Sequence, residues 1–344
     1  MTVATITRRP GSARFAAIAC VVCVAALAVA PMVFSQGDLR LIIEILTVFT
    51  FAQSWNLLAG YAGLMSFGQH LFIGLGSYFV FQVSNQTGIN PFLLLPFSFL
   101  FSALAAAAIS PLVFRLRDAY FAIGIWVLAE VARLFVSQTP WLGAVSGLPL
   151  IATREMDRTL VANANYWFAA ALAVISVFGF YLLLRSKLGL ALMAVRDNEQ
   201  TAAAVGIDVW WTRFFGFVIG SGMCGMAGAA YYMATFHVEP GAAFDANWVV
   251  VMLFIVIIGG VGTIEGPIIG TAVYFLFRAW FSGTGNLYLM LLGAAAVLTM
   301  IFASKGIWGI VQQRFAIELL SVRRRPEAVA EPAAGMAEPA KDAA

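Results

Sequence analysis

The chain has 344 residues, of which 62% are hydrophobic and only 11% are charged, and its mean hydropathy is +0.90. Soluble domains carry roughly 25% charged residues, so these values exclude a soluble enzyme, a nucleic-acid binder and a disordered chain. The net charge is only +3, so the placement of the charges matters more than their sum.

Leu, Val, Ile, Phe and Ala recur in blocks of about 20, the length that crosses ~30 Å of hydrocarbon. The ~10-residue alternating segments of a transmembrane β-barrel are not seen. The sequence therefore predicts an all-α, polytopic membrane helical bundle. Span 1 covers 15–34 and follows Arg8, Arg9 and Arg14. Pro31 after Ala28-Val29-Ala30 argues against cleavage, so it reads as a retained helix. Cys20 and Cys23 read as filler within it. Further spans are predicted at 41–58, 62–83, 92–114, 119–137, 166–184 and 214–235. The block 248–280 is too long for one ordinary helix and is broken at Gly259–Pro267. A last span is predicted at 287–303.

The broken block decides the parity. If it turns at the glycines there are about ten crossings, and both termini are cytoplasmic. The positive-inside rule favours that case. It puts the clusters Arg8–Arg14, Arg115–Arg117, Arg185–Arg213 and Lys305–Lys341 inside. Arg40, Arg154, Arg158 and Arg278 then fall outside, and Arg133 falls within the membrane. The expected organisation is a cytoplasmic segment 1–14, a permease domain 15–304 with a cytoplasmic loop 185–213, and a tail 305–344, disordered from about 323. Whether 247–280 makes two crossings or a re-entrant hairpin stays open.

The loop 185–213 carries its own punctuation. Asp197 or Asn198 is a good N-cap for a helix beginning at Glu199, and Gly206 is a left-handed stop. The result is a short helix with small residues at Ala202, Ala203 and Ala204. It reads either as a solvated connector or as a docking element for another protein.

Four stretches of the chain match one family. Ser186, Gly189, Ala191, Leu192, Ala194, Arg196, Asn198, Glu199, Ala202, Ala203, Gly206 and Ile207 form an S-x-x-G-x-A-L-x-A-x-R-x-N-E-x-x-A-A-x-x-G-I pattern. Asn56–Gln69 is similar to N-L-L-x-G-Y-x-G-x-x-S-x-G. Tyr120-Phe121-Ala122 with Glu130 and Arg133 resembles Y-F-A…x-E-x-x-R. Gly259-Gly260-Val261-Gly262-Thr263 with Gly266-Pro267 and Gly270 resembles G-G-x-G-T-x-x-G-P-x-x-G. In this order they resemble the LivM-like side of the branched-chain amino-acid ABC-transporter permeases. One element departs: Leu142–Leu148 stands where many relatives carry T-G-G-x-x-G-L, which bears on substrate more than on family.

The resemblance implies a transport subunit that binds no cofactor and works with partners. These are a second homologous permease subunit, two ABC ATPase subunits that dock on the cytoplasmic loop, and a periplasmic solute-binding protein. It also implies the inner membrane of a bacterium. The sequence agrees that ATP is hydrolysed elsewhere, because no Gly-Lys precedes a Ser or Thr as a Walker A motif requires. The G-x-G-x-x-G match at Gly220, Gly222 and Gly225 lies in an apolar helix and reads as a close-packing face with Gly216.

Polar residues inside spans are costly unless they face protein or water. If span 3 is helical throughout, Gly63, Ser66, Gln69, His70 and Ser77 share one stripe. On span 2, Gln53, Asn56 and Gly60 form one stripe and Glu44, Thr47 and Ser54 another, so it needs neighbours on two sides. Glu130 and Arg133 can pair at i,i+3, as a structural ion pair or as part of the substrate path. His70 reads as a hydrogen-bonded bundle residue or as a ligand. His237, Glu239 and Asp245 are too loosely spaced to predict a metal site. Glycine-broken segments at 60–76 and 259–270 mark either close packing or a translocation site. The candidate path thus comprises Gln53, Asn56, Gly60, Gly63, Ser66, Gln69, His70, Glu130, Arg133, Gly260 and Gly262. The rival reading is a stand-alone secondary transporter or channel in which Glu44, Glu130, Arg133 and His70 carry protons.

Overall fold

The computed structural model describes residues 25, 27–31, 33–153, 157–281, 286–302 and 306–315. Most of the predicted first span and the tail lie outside them. The described chain is almost entirely helical: α1 Gln36–Asn56, α2 Gln69–Thr87, α3 Pro91–Val113, α4 Asp118–Gln138, α5 Arg158–Arg185, α6 Lys187–Asp197, α7 Glu199–Ala204, α8 Val209–Thr235, α9 Pro240–Ala243, α10 Asn247–Gly259, α11 Gly266–Phe281, α12 Asn286–Phe302 and α13 Gly306–Phe315. Six helical segments among them are long and apolar enough to cross a membrane: Gln36–Tyr61, Pro91–Val113, Ala119–Gln138, Thr159–Arg185, Val209–Thr235 and Pro240–Gly259.

Local chemistry sets the ends of these helices. Ser35 and Asp38 form a capping box at the start of α1, satisfying amide groups that the first turn leaves without partners. Asn90 accepts from Phe92 N at 3.0 Å, with Pro91 in the first turn of α3. Asp157 accepts from Thr159 N at 2.9 Å, so α5 starts well before position 166, where the apolar run alone would begin it. Between α4 and α5 the described residues form two short 3-10 turns and a strand β1, Leu148–Pro149, paired antiparallel with β2, His237–Val238.

α8 is the centre of the bundle. Gly216, Gly220, Gly222 and Gly225 let α1, α3 and the α6 side chain of Leu192 approach it closely, so the close-packing reading of that motif holds. A Cβ on Gly222 would lie 2.8 Å from the Phe99 ring, and one on Gly76 of α2 would lie 2.6 Å from Gly225 Cα. Small residues permit this contact where hydrophobic burial gives helices in lipid no reason to associate. Span 2 needs protein on two sides, and α1 has it: Thr47 through Asn56 are all buried.

Glu44, on the second polar stripe of α1, meets Arg278 of α11 at 2.5 Å. Removing one partner strands a charge, whereas removing both does not. Arg278→Leu is therefore expected to destabilise the purified chain by about 1–3 kcal/mol, and adding Glu44→Gln should restore part of that loss. Thermal unfolding in detergent, read as a double-mutant cycle, checks it; equal losses in the single and double variants would refute the coupling.

Candidate functional site

The first break begins where α1 ends. Leu57–Tyr61 forms a π-helical turn, a local widening often found at functional positions. The chain then runs to Gly68 as irregular, non-helical backbone with bends at Ala62 and Phe67. Ala62, Leu64, Ser66 and Gly68 are buried while Gly63, Met65 and Phe67 are exposed. Trp55 Nε1 holds this run by donating to Ser66 O at 2.8 Å. A Cβ on Gly68 would lie 2.7 Å from the Ile125 carbonyl carbon of α4. Ile125 is seven residues past the start of α4, about 10 Å along it, so the break enters the bundle. This corrects the expectation of a helix through 62–68. Gly63 and Ser66 do not share a helical stripe with Gln69, His70 and Ser77, because α2 starts only at Gln69. The π turn and Gly63 at φ +69° end the helix and override the apolar period.

The second break turns between α10 and α11. Gly260 has φ +130° and Gly262 φ +73°, conformations that glycine adopts at low cost. Thr263 donates its hydroxyl to Gly260 O at 2.7 Å and accepts from Gly266 N at 3.1 Å, which closes the turn. The two helices run antiparallel: Gly259 meets Gly266, Gly270 meets Ile255, and the Phe254 and Tyr274 rings lie 6.0 Å apart.

The two breaks are fastened to each other. Asn56 donates to Thr263 O at 2.8 Å and accepts from Gly262 N at 2.9 Å, and Gln53 donates to Ile264 O at 2.8 Å. A Cβ on Gly60 would stand 2.6 Å from Gly262 N. The predicted stripe Gln53–Asn56–Gly60 thus faces Gly262, Thr263 and Ile264 of the turn. Gly306, at the start of α13, also packs on Gly260.

The loop 185–213 joins this knot. Ser186 caps α6, which the sequence reading missed: it read only the second half of the loop as helical. Asn198 then accepts from Thr201 N at 2.8 Å and caps α7, and Gly206 has φ +86°; of the two candidate caps, Asn198 is the one used. Gly189 fits tightly against the Leu184 backbone. Ala202 is buried, while Ala203 and Ala204 are exposed. Two contacts that spacing did not announce tie the loop down. Glu199 pairs with Arg213 at 3.0 Å, joining α7 to α8. Arg196 donates to Gly60 O at 2.5 Å and to the Asp197 carboxylate at 2.7 and 2.9 Å.

The remaining predicted residues lie on the far side of the first break. Gln69 and His70 are fully buried at the start of α2, with Gln69 Nε2 donating to Ser66 Oγ at 3.3 Å. Glu130 and Arg133 form a bidentate pair on α4. Their side chains are 43% and 34% exposed, so the bundle does not enclose them. Phe121, Ile125, Ala129 and Val136 mark the buried stripe of α4. Glu130 sits about 140° round the helix from Ile125, among exposed Ile123, Val127 and Leu134. No group of three or more His, Cys, Asp or Glu among the described residues could hold a metal ion.

A sequence model of the family described as "Branched-chain amino acid transport system / permease component" matches residues 37–303, the span that holds both breaks and the loop. The chain belongs to that family. This permease is 25% identical over 303 residues to the "High-affinity branched-chain amino acid transport system permease protein LivM" of Salmonella typhimurium, covering 80% of the chain and 71% of that protein. It is 28% identical over 269 residues to the "Probable branched-chain amino acid transport permease protein LivH" of Methanocaldococcus jannaschii, covering 71% and 83%. A "Probable … LivM" of the same organism is 24% identical over 264 residues, covering 65% and 75%. No solved structure matches significantly. This permease is a multi-pass membrane transport subunit rather than an enzyme.

Proposed function

We propose that this permease is the membrane subunit of an ATP-binding-cassette importer and moves branched-chain amino acids or similar small amphipathic solutes by alternating access. It works with a second homologous permease subunit, two ATPase subunits on the 185–213 loop and a periplasmic solute-binding protein, in a bacterial inner membrane. The observation that carries the reading is the capped helix α7, presenting Ala203 and Ala204 outward while its flanks are bonded to the bundle beside both glycine breaks. A rigid, small-sided surface so held can receive force from a partner and pass it inward. Its relatives' names supply the substrate class.

The same reading fits about ten crossings with both termini cytoplasmic. The loop, the glycine turn and Gly306 gather at one end of the bundle, and β1, β2 and Asn85, which bonds Pro149 O, gather at the other. In this reading the legs join these two ends in alternation, and the span read from the sequence at 15–34 is counted with them.

The substrate path runs along the uncovered face of α4 and the non-helical run 62–68. A Glu–Arg pair about 18 Å along a membrane helix and a run of non-helical backbone do not face acyl chains. The second permease subunit covers this seam. Glu130→Gln/Arg133→Gln is expected to reduce uptake at least tenfold while complex assembly persists, measured by radiolabelled leucine influx into proteoliposomes.

The deciding experiment reconstitutes the chain with and without its partners. Leucine uptake that needs ATP, the ATPases and the receptor supports the proposal. Uptake by the chain alone, driven by a pH or sodium gradient, overturns it.

A further inference from the structure

Arg196 occupies a position that nothing about cytoplasmic docking demands. It sits near the end of α6, two residues before the cap of α7, yet its guanidinium reaches back to the end of α1. There Nη1 donates to Gly60 O at 2.5 Å. Gly60 belongs to the π turn, where the last carbonyls of a helix have no helical partner. A cation at that end also meets the negative pole of the helix dipole. Asp197 holds the other face of the guanidinium through Nε and Nη2, so the fork is fixed at three of its donors.

The contact extends to the second break. A Cβ on Gly262 would lie 3.0 Å from Gly60 O and 3.3 Å from Arg196 Nη1. A Cβ on Gly63 would lie 3.2 Å from Arg196 Cα. One guanidinium therefore joins the loop to the π turn that follows α1 and lies beside Gly262 of the glycine turn. Asn56 and Gln53 already bind α1 to that turn.

We propose that Arg196 is the positioning residue that carries motion of the α7 helix into the paired glycine breaks, its guanidinium acting as a pin through Gly60 O. This deepens the transporter reading and rests on it. When a partner shifts α7, Asp197 and Arg196 shift with it, and Gly60 O must follow or the bond must break. Either event changes how the π turn sits on Gly262. An arginine is required because only a planar fork can hold Asp197 and the carbonyl at once. Lysine offers a single point of attachment.

The test uses the full complex with its ATPases and receptor. Arg196→Gln and Arg196→Lys are each compared with the parent for assembly, ATP hydrolysis and leucine taken up per ATP. The expected result is normal assembly and hydrolysis, with uptake per ATP at least tenfold lower in Arg196→Gln and intermediate in Arg196→Lys. A second measurement follows transmission directly. Val261, exposed in the glycine turn, is changed to Cys in a background where Cys20, Cys23 and Cys224 are Ala. Its thiol-labelling rate should change when ATP is added to the parent complex, and should not change in Arg196→Gln. Unaltered uptake per ATP, or an ATP-dependent labelling change that survives Arg196→Gln, overturns the pin. Loss of assembly in both variants also overturns it and makes Arg196 a docking residue. Failure of the transporter reading itself looks different, because the parent complex would then show no ATP-driven uptake.

Discussion

Glu199→Lys combined with Ala203→Arg is expected to abolish ATP-driven uptake, with a loss of about 100-fold or more, while membrane insertion stays at the parent level. Two separate effects converge. Ala203 is exposed on a helix of only six residues, so an arginine there projects into whatever occupies that surface. Glu199 pairs with Arg213 at 3.0 Å, and lysine in its place sets two cations against each other where α7 meets α8. A bulky side chain forced into a close-fitting contact costs about 1–3 kcal/mol, the lost α7–α8 pair loosens the helix that makes the contact, and each ~1.4 kcal/mol is a factor of ten in affinity. Both residues lie in the loop outside the membrane-spanning core, and the Glu199–Arg213 pair is only at the start of α8, so insertion is spared. Pull-down of the ATPase subunits and leucine uptake should fall together. Parent-level uptake in the double variant would remove α7 from the coupling path.

The parts of this molecule that were legible in the sequence are those set by local chemistry. Span lengths, the α7 cap and the glycine turn all follow from composition and from residues a few positions apart. Asn198 could be read because a cap needs only its own side chain and the amide three residues on. The run 62–68 was misread for the same reason. Its apolar pattern is compatible with a helix, and contacts with Trp55, Ile125 and the Leu58 carbonyl hold it out of one. Gln53, Asn56 and Gly60 were recognisable as a stripe, but their partners lie more than 200 residues away. The Arg196–Gly60 bond spans 136 positions. The spacing of an arginine in a loop carries no signal of such a partner; what could have pointed to it is an unexplained cation beside a helix whose end lacks a polar cap. Glu44 and Arg278 were equally silent until α11 was laid against α1.

Gly60→Ala should lower the thermal stability of the purified permease by about 1–3 kcal/mol, the usual cost of forcing a methyl into a close-packed site. The added carbon meets the Gly262 amide nitrogen at 2.6 Å and its Cα at 2.9 Å, and neither is the end of a flexible side chain that could swing aside. The strain cannot be relieved by sliding α1, because Asn56 and Gln53 pin the same turn from one and two helical turns earlier. Moving the glycine turn instead would open those bonds and leave buried amide groups without partners, which costs more. Gly293→Ala is the matched control: it lies in α12 with open space around its would-be Cβ and should be neutral or slightly stabilising, since alanine favours the helix by about 1 kcal/mol. Unfolding midpoints in one detergent compare the two. A Gly60→Ala midpoint equal to that of Gly293→Ala would mean that the breaks are not in the tight contact on which coupling through Arg196 depends.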